Sequence, residues 1–223
     1  MINKTVELVN EWAAFEARFP DAGVDDFCRN YLARTKGGSV PGKMVGGVVP
    51  PFRDGLLLKI IGRISKLNMM YANKALLGTD VGQIEEFGIL ATIAQEINPR
   101  KTDIIYSNLL ELSSGTDMLT RLKKRNIIRE YSDLKDKRSK RVELTVKGHR
   151  TLGLCYERIT RNVRMLLHDL SHDDKELCVH LLKGIEIKFS ALWPTHKNLS
   201  FDEIYKEVVG PATKSSNLRV GKK

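Results

Sequence analysis

Between Asn126 and Thr145 the apolar residues of this chain change their spacing. On either side they recur at steps of three and four, the period of a helix face. Within the segment, Ile127, Ile128 and Tyr131 form one short run, and Val142 and Leu144 alternate with Arg141 and Glu143, the period of two of a strand. The charged stretch Ser132–Lys140 separates the two runs. One hairpin inside an otherwise helical pattern makes the chain mainly α with a small β-hairpin, an α+β class.

The helical pattern sets the rest of the order. Val6, Val9, Ala13 and Phe15–Phe19 mark a first short helix ended by Pro20, and Val24–Ala33 a second, carrying Phe27, Tyr31 and Leu32. Neither is long enough to be stable alone. Lys36–Phe52, rich in Gly and Pro, is a linker. A long helix spans Arg53–Leu77 with the stripe Leu57, Ile60, Ile64, Leu67 and Tyr71, and Gly78 ends it. Asp80 with Gln83 predicts a capping box for a helix over Val81–Ile97, with Ile84, Phe87, Leu90, Ala91 and Ala94 on its apolar face. Thr102–Leu110 is a short helix. Ser113 and Ser114 are N-cap candidates for the next, which runs to Arg125, with Met118, Leu119 and Leu122 as core and Asn126 as its exit. After the hairpin, Thr145 caps a long helix with the stripe Leu152, Tyr156, Ile159, Val163 and Leu166. Ser171 with Asp174 caps another, carrying Cys178, Leu181, Ile185, Phe189 and Leu192, which Pro194 is expected to stop. Phe201–Val209 is a last short helix in a polar tail.

Five regions follow: 1–52, a helical extension and linker; 53–80, a long helix; 81–150, the shorter helices and the hairpin; 151–193, further long helices; and 194–223, a polar basic tail.

Charge singles out the third region. The chain carries 37 Lys and Arg against 27 Asp and Glu, a formal charge of +10. From Pro99 to Arg150 there are 14 basic and 7 acidic residues, whereas residues 1–52 have 6 of each. A basic excess gathered in one stretch is the footprint expected for a nucleic-acid partner; a solvated surface is the plainer reading. Cys28, Cys155 and Cys178 form no close pair, so neither a disulfide framework nor a zinc pattern is expected. On apolar stripes they are read as buried and inert. His149, His168, His172, His180 and His196 lack metal-ligand spacing, and no metal or cofactor is expected. No basic-then-apolar leader opens the sequence, and no run approaches the ~18 apolar residues of a membrane span. The expectation is a cytoplasmic protein with reduced thiols and no membrane partner.

Helix, short helix, turn, helix and hairpin in this order make a winged helix-turn-helix. A B-DNA major groove admits one α-helix, a second helix behind it sets its angle, and a basic hairpin beside it reaches phosphates or the minor groove. The residues carry a closer likeness. The stretch from Leu110 to Arg129, and Asp136-Lys-Arg-Ser-Lys-Arg-Val-Glu-Leu-Thr-Val-Lys-Gly, resemble the recognition helix and wing of MarR-type (multiple antibiotic resistance) regulators, with an Asp-x-Arg element followed by Leu-Thr-x-x-Gly. The resemblance spans Arg53 to Leu192. Asn126 stands where that family usually has Gly, and Asn tolerates the left-handed conformation. The extension of about fifty residues at the N-terminus is similar to that of a subgroup of the family.

The resemblance implies a homodimer built from Arg53–Leu77, Thr151–His168 and Asp174–Leu192. It also implies double-stranded DNA as partner and a small-molecule effector pocket lined from Arg53–Leu77, Val81–Ile97 and Thr151–Arg164. The apolar stripes independently call for a facing layer. The DNA-contact candidates are as follows. Ser113, Ser114, Thr116 and Asp117 lie in the first turn of the recognition helix; Ser113 or Ser114 as a plain cap, completed by Asp117, is the alternative. Arg121 is a candidate for guanine or phosphate, and Lys124 and Arg125 for the backbone. Arg138 is assigned to the minor groove, oriented by Asp136. Lys137, Lys140 and Arg141 are phosphate candidates, as are Arg100, Lys101 and Thr102 at the start of the supporting helix. The function implied is a ligand-responsive, sequence-specific regulator, a repressor on a pseudo-palindromic operator. The alternative is a sequence-indifferent architectural DNA-binding protein. Paired carboxylates, a Ser/His/Asp set and a phosphate-cradling glycine loop are all missing, so no enzyme is expected.

Overall fold

The computed structural model describes residues 3–35, 50–133 and 140–210. The chain divides into two units, Met1–Leu56 and Leu57–Lys223.

The first unit is a helical hairpin. Asn3 caps α1 (Lys4–Glu16) by accepting from the Thr5 amide at 2.9 Å. In α2 (Val24–Thr35), Asp25 and Asp26 occupy the first turn, where acids suit the helix dipole. Phe27 packs against Trp12 (ring centroids 5.2 Å apart) and Phe15 (5.6 Å). Phe15 and Phe27 are the only buried residues of α1 and α2; Val6, Leu8, Val9 and Val24 are more than half exposed. Cys28 is exposed, contrary to the expectation of burial, because Phe27 rather than its neighbour faces α1. The Gly/Pro linker falls largely outside the described residues.

The second unit holds most of α3 (Arg53–Ala75), then α4 (Ile84–Gln95), α5 (Lys101–Ser107), α6 (Leu112–Lys124), β1 (Ile128–Ser132), β2 (Lys140–Leu144), α7 (Val146–Leu166), α8 (His172–His196) and α9 (Phe201–Val209). The core lies under the hairpin, where Ile89, Leu90 and Ile93 of α4 meet Ile104 and Ile105 of α5, Leu119 and Leu122 of α6, Val142 of β2, and Leu152 and Cys155 of α7. The strands are antiparallel, with Ile128 opposite Leu144 and Ser132 opposite Lys140. A third rung comes from the α4–α5 connection: Arg100 bridges Arg141, and the Val142 amide donates to the Pro99 carbonyl at 3.1 Å.

Close approaches fix the module. Gly115 lets α6 cross α5; a Cβ there would lie 2.6 Å from Ile105 Cγ1. Asn126 adopts φ 57°, so the Ile127 amide bonds back to the Leu122 carbonyl at 3.0 Å and the Asn126 amide to Lys123 at 2.9 Å, a closed helix end. Thr145 caps α7 as expected: its hydroxyl accepts from the Gly148 amide at 3.0 Å and donates to the Asn126 carbonyl at 2.8 Å.

The structure also corrects four readings of helix ends and faces. The Asp80–Gln83 capping box does not form. The α4 helix starts at Ile84 after Gln83, which makes no side-chain cap bond, and Asp80 pairs with Lys147 at 3.1 Å. Of the predicted α4 stripe Leu90 is buried and Phe87 packs against the core, but Ala94 is exposed, and Glu86, Ile89 and Ile93 complete the buried face, with Glu86 carrying its ionic partners inward. Ser113 and Ser114 are not caps, since Glu111 precedes the first helical residue and both serines lie within the first turn. Pro194 does not stop α8. It lies inside the last turn, and the helix runs on to His196, so the boundary expected after residue 193 falls within a helix. Phe201–Val209 is helical as read, with a full capping box between Ser200 and Glu203.

The long helices are covered differently from the module. Ala72 is the only buried residue of α3, and His196 the only one of α8. Leu57, Ile64 and Met70 of α3, Met165 of α7, and Leu181, Ile185, Ile187 and Trp193 of α8 are half exposed or more. Cys178 is exposed with them, against the expectation of burial, because the stripe that carries it has no facing layer among the described residues.

Candidate nucleic-acid interface

The geometry of α6 sorts its side chains by direction. Gly115, Leu119 and Leu122 face the core. At about 100° per residue, the stripe on the far side runs Ser113, Asp117, Thr120, Lys124, and all four are exposed. Ser113, Ser114 and Thr116 stand in the opening turns. The Thr116 hydroxyl donates to the Leu112 carbonyl at 2.7 Å, and Thr120 does the same to Thr116 at 2.8 Å, which leaves each oxygen able to accept. A shallow cleft of about 280 Å³ joins Arg100, Lys101 and Thr102 at the start of α5 to Thr116 of α6 and Lys140 of β2. Five residues singled out from sequence therefore line one surface.

Several basic candidates are engaged within the molecule. Arg125 Nη2 donates to Glu86 Oε1 at 2.7 Å, and Arg121 Nε to the same oxygen at 3.2 Å. Glu130 takes Lys101 of α5 and Lys123 of α6, each at 2.9 Å. Burial pushes the Glu130 carboxyl up, but the hydrogen bonds and charges of these two ammoniums outweigh it and hold the group below its ordinary value. Arg141 donates to buried Asp133 at 2.5 Å and to the Asn98 carbonyl. Lys140 donates to Ser132 Oγ at 2.9 Å. Asp136, Lys137 and Arg138 lie outside the described residues.

Glu86, Glu130, Thr120 and Lys123 are absent from the sequence-derived set. The signal for Glu86 was its phase: it stands three residues before Ile89 and seven before Ile93, on the same helix face. Thr120 shares the stripe of Ser113 and Asp117. The pairing of Lys101 and Lys123 through Glu130 joins residues of α5, α6 and β1, and no local pattern announces it.

A second cleft, of about 620 Å³, is lined by Tyr71, Lys74 and Ala75 of α3 and by residues of α7 from Leu154 to Met165. Of the three segments expected to line an effector pocket, α3 and α7 contribute and α4 does not. Buried Asn162 crosses the α3–α7 contact, donating to Asn68 Oδ1 at 3.0 Å. Among the described residues no three His, Cys, Asp or Glu side chains gather as a metal would need, and no helix is long and apolar enough to cross a membrane.

No protein-family profile and no curated protein matches this sequence. Solved structures do. A mutant MarR from E. coli complexed with operator DNA shares 22% identity over 58% of this chain and 92% of its own, with a TM-score of 0.54. Sco3205, a MarR family regulator from Streptomyces coelicolor in complex with DNA, shares 19% identity over 61% and 89%, with a TM-score of 0.54. The PcaV regulator from the same organism, in complex with its natural ligand, shares 17% over 64% and 97%, with a TM-score of 0.53. At these identities the likeness establishes the fold: the second unit is a winged helix of the MarR type, mainly helical with one antiparallel hairpin.

Proposed function

We propose that the chain is a sequence-specific DNA-binding transcriptional regulator that acts as a homodimer, with α6 in the major groove and the hairpin beside it. The observation that carries this reading is the outer face of α6. It is exposed, polar and flanked by the cleft of Arg100, Lys101, Thr102 and Lys140, in a fold that two of the similar structures hold against DNA. The wing residues Asp136, Lys137 and Arg138 are assigned the adjacent minor groove on the motif alone. The uncovered apolar residues of α3, α7 and α8 support the dimer, since helices with such stripes need a facing layer. Two copies would then read half-sites about 34–36 Å apart on a roughly palindromic operator. Repression released by a small molecule is the output assigned, with the α3–α7 cleft as the ligand's place because it is lined by two of the three segments expected to form the pocket; PcaV, of the same fold, is complexed with its natural ligand. The reading assigns no catalytic step and no membrane partner.

The test is selection of bound duplexes from a random pool, followed by footprinting on the DNA upstream of the chain's own gene. The expected result is a protected, pseudo-palindromic site bound at least about a thousandfold more tightly than random duplex at the same salt. Equal affinity for both, with a steep salt dependence, overturns the reading in favour of an architectural protein.

A further inference from the structure

Glu86 is 2% exposed, the most deeply buried carboxylate among the described residues. Its Oε2 accepts from the Gly82 amide at 2.8 Å, which fixes the group to the start of α4. Its Oε1 takes both Arg121 Nε and Arg125 Nη2. Arg125 is held further: its Nε donates to the Arg121 carbonyl at 3.2 Å, its Nη1 donates to the Asp80 carbonyl, and its own carbonyl accepts from Lys147 at 3.1 Å. Arg121 is held by one atom only. Its side chain is 49% exposed, and among the described residues no hydrogen bond reaches its Nη atoms. The carboxylate is buried while Arg121 and Arg125 reach it from the surface, so its position sets where the two guanidiniums meet. On the other edge of the same helix, Lys123 meets Glu130. Positions 121 and 123 are about 200° apart around the axis, so the two carboxylates grip the last turn from both sides and leave the Ser113–Lys124 stripe between them.

We propose that Glu86 is a positioning residue that determines DNA specificity. It fixes Arg121 in one orientation beside the outer stripe of α6 and cancels part of the attraction of Arg121 for phosphates, while Arg125 stays held by the Arg121 and Asp80 carbonyls. That attraction is the same for every sequence, so reducing it makes binding depend more on groove contacts. The inference rests on the DNA-reading role given to α6 above.

The experiment compares the full chain with its Glu86→Gln variant, which keeps the shape of the side chain and the bond from Gly82 but removes the charge. Fluorescence anisotropy measures a selected duplex and a random duplex over a salt series. In Glu86→Gln, random-duplex affinity is expected to rise several-fold, and the slope of log K against log salt to steepen by about 0.9 for each added phosphate contact. The selected-to-random ratio is expected to fall about tenfold. The double variant Glu86→Gln/Arg121→Gln returns the random-duplex slope to that of the unmodified chain, which loss of packing alone would not do. An unchanged ratio and slope in Glu86→Gln, or a steep slope that persists in the double variant, overturns the proposal. Should Glu86→Gln fail to fold, Arg121→Gln alone decides. Selective loss on the selected duplex supports the proposal, and equal loss on both overturns it. If the unmodified chain itself prefers no duplex over random DNA, the DNA-reading role falls and this inference with it; if it discriminates and Glu86→Gln discriminates equally, only this inference falls.

Discussion

The winged module and the helices around it solve the problem of burial in opposite ways. Between Leu76 and Cys155 almost every large aliphatic side chain that points inward is sealed: Ile89, Leu90, Ile104, Leu119, Leu122, Ile127 and Val142 are essentially inaccessible. In α8, 25 residues long, only His196 is buried, while Ile185, Ile187 and Trp193 remain half exposed. At about 25 cal/mol per Å² of apolar surface, the module can hold its shape from within the chain, and the long helices cannot. The difference teaches that folding of the module is separable from the covering of the long helices, which the proposed homodimer would supply, and each can be attacked alone.

The largest effect is expected inside the module. An alanine Cβ at Gly148 would lie 2.1 Å from the Ile127 carbonyl oxygen, a backbone atom with nowhere to go. Gly148→Ala is expected to cost about 3 kcal/mol or more, read by urea unfolding, where overpacking usually costs about 1–3. The same change at Gly184 of α8 meets nothing: a Cβ there would have no heavy atom of another element within 4 Å among the described residues. A cost at Gly184 similar to that at Gly148 would break the comparison, because it would mean that α8 is as tightly covered as the module.

A charge on the uncovered face should undo assembly and leave the module standing. Ile185→Glu is expected to halve the mass seen by light scattering, with the module's own unfolding transition shifted by no more than about 1 kcal/mol, as for other exposed sites. Thiol reactivity sharpens the same contrast. Cys28 and Cys178 are exposed, whereas burial pushes the Cys155 thiol above its ordinary value and keeps it protonated. With iodoacetamide under native conditions, Cys28 is expected to react and Cys155 to react only on unfolding. Cys178 should react faster in Ile185→Glu than in the assembled protein. Rapid native alkylation of Cys155 would show that the module opens on its own.

The smallest effect is local. Thr145→Ala removes the cap of α7 and is expected to cost about 1 kcal/mol in the unfolding transition, with assembly unchanged.

The order of helices and the hairpin was legible because period alone separates them, and Val142 and Leu144 point inward as their alternation required. The closing of α6 at Asn126 was legible from a residue that tolerates positive φ. What escaped was set by partners distant in sequence. Glu86 reads as a surface residue until two arginines 35 and 39 positions later are brought against it. Pro194 reads as a stop, because a proline gives up an N–H donor and its ring crowds the carbonyl four residues before it, yet it stands two residues from the end of α8 and the helix runs on to His196. Ser113 and Ser114 have the chemistry of caps, yet the helix begins one residue before them. Five of the DNA-contact candidates share a cleft; Arg125 and Arg141, equally basic in the sequence, are bound within the fold.

The joint between hairpin and α7 has a mechanical consequence. Only Thr145 separates the last residue of β2 from the first of α7, and Gly148 presses that first turn onto the Ile127 carbonyl, so strand and helix have no slack between them. With a rise of 1.5 Å per residue, α7 is a rod of about 30 Å, and a tilt of about 5° at its far end sweeps the hairpin through roughly 3 Å, close to one base-pair step. In the proposed homodimer, small adjustments at the far end of α7 would thus appear, magnified by the length of the rod, as a change in the spacing the two hairpins can span.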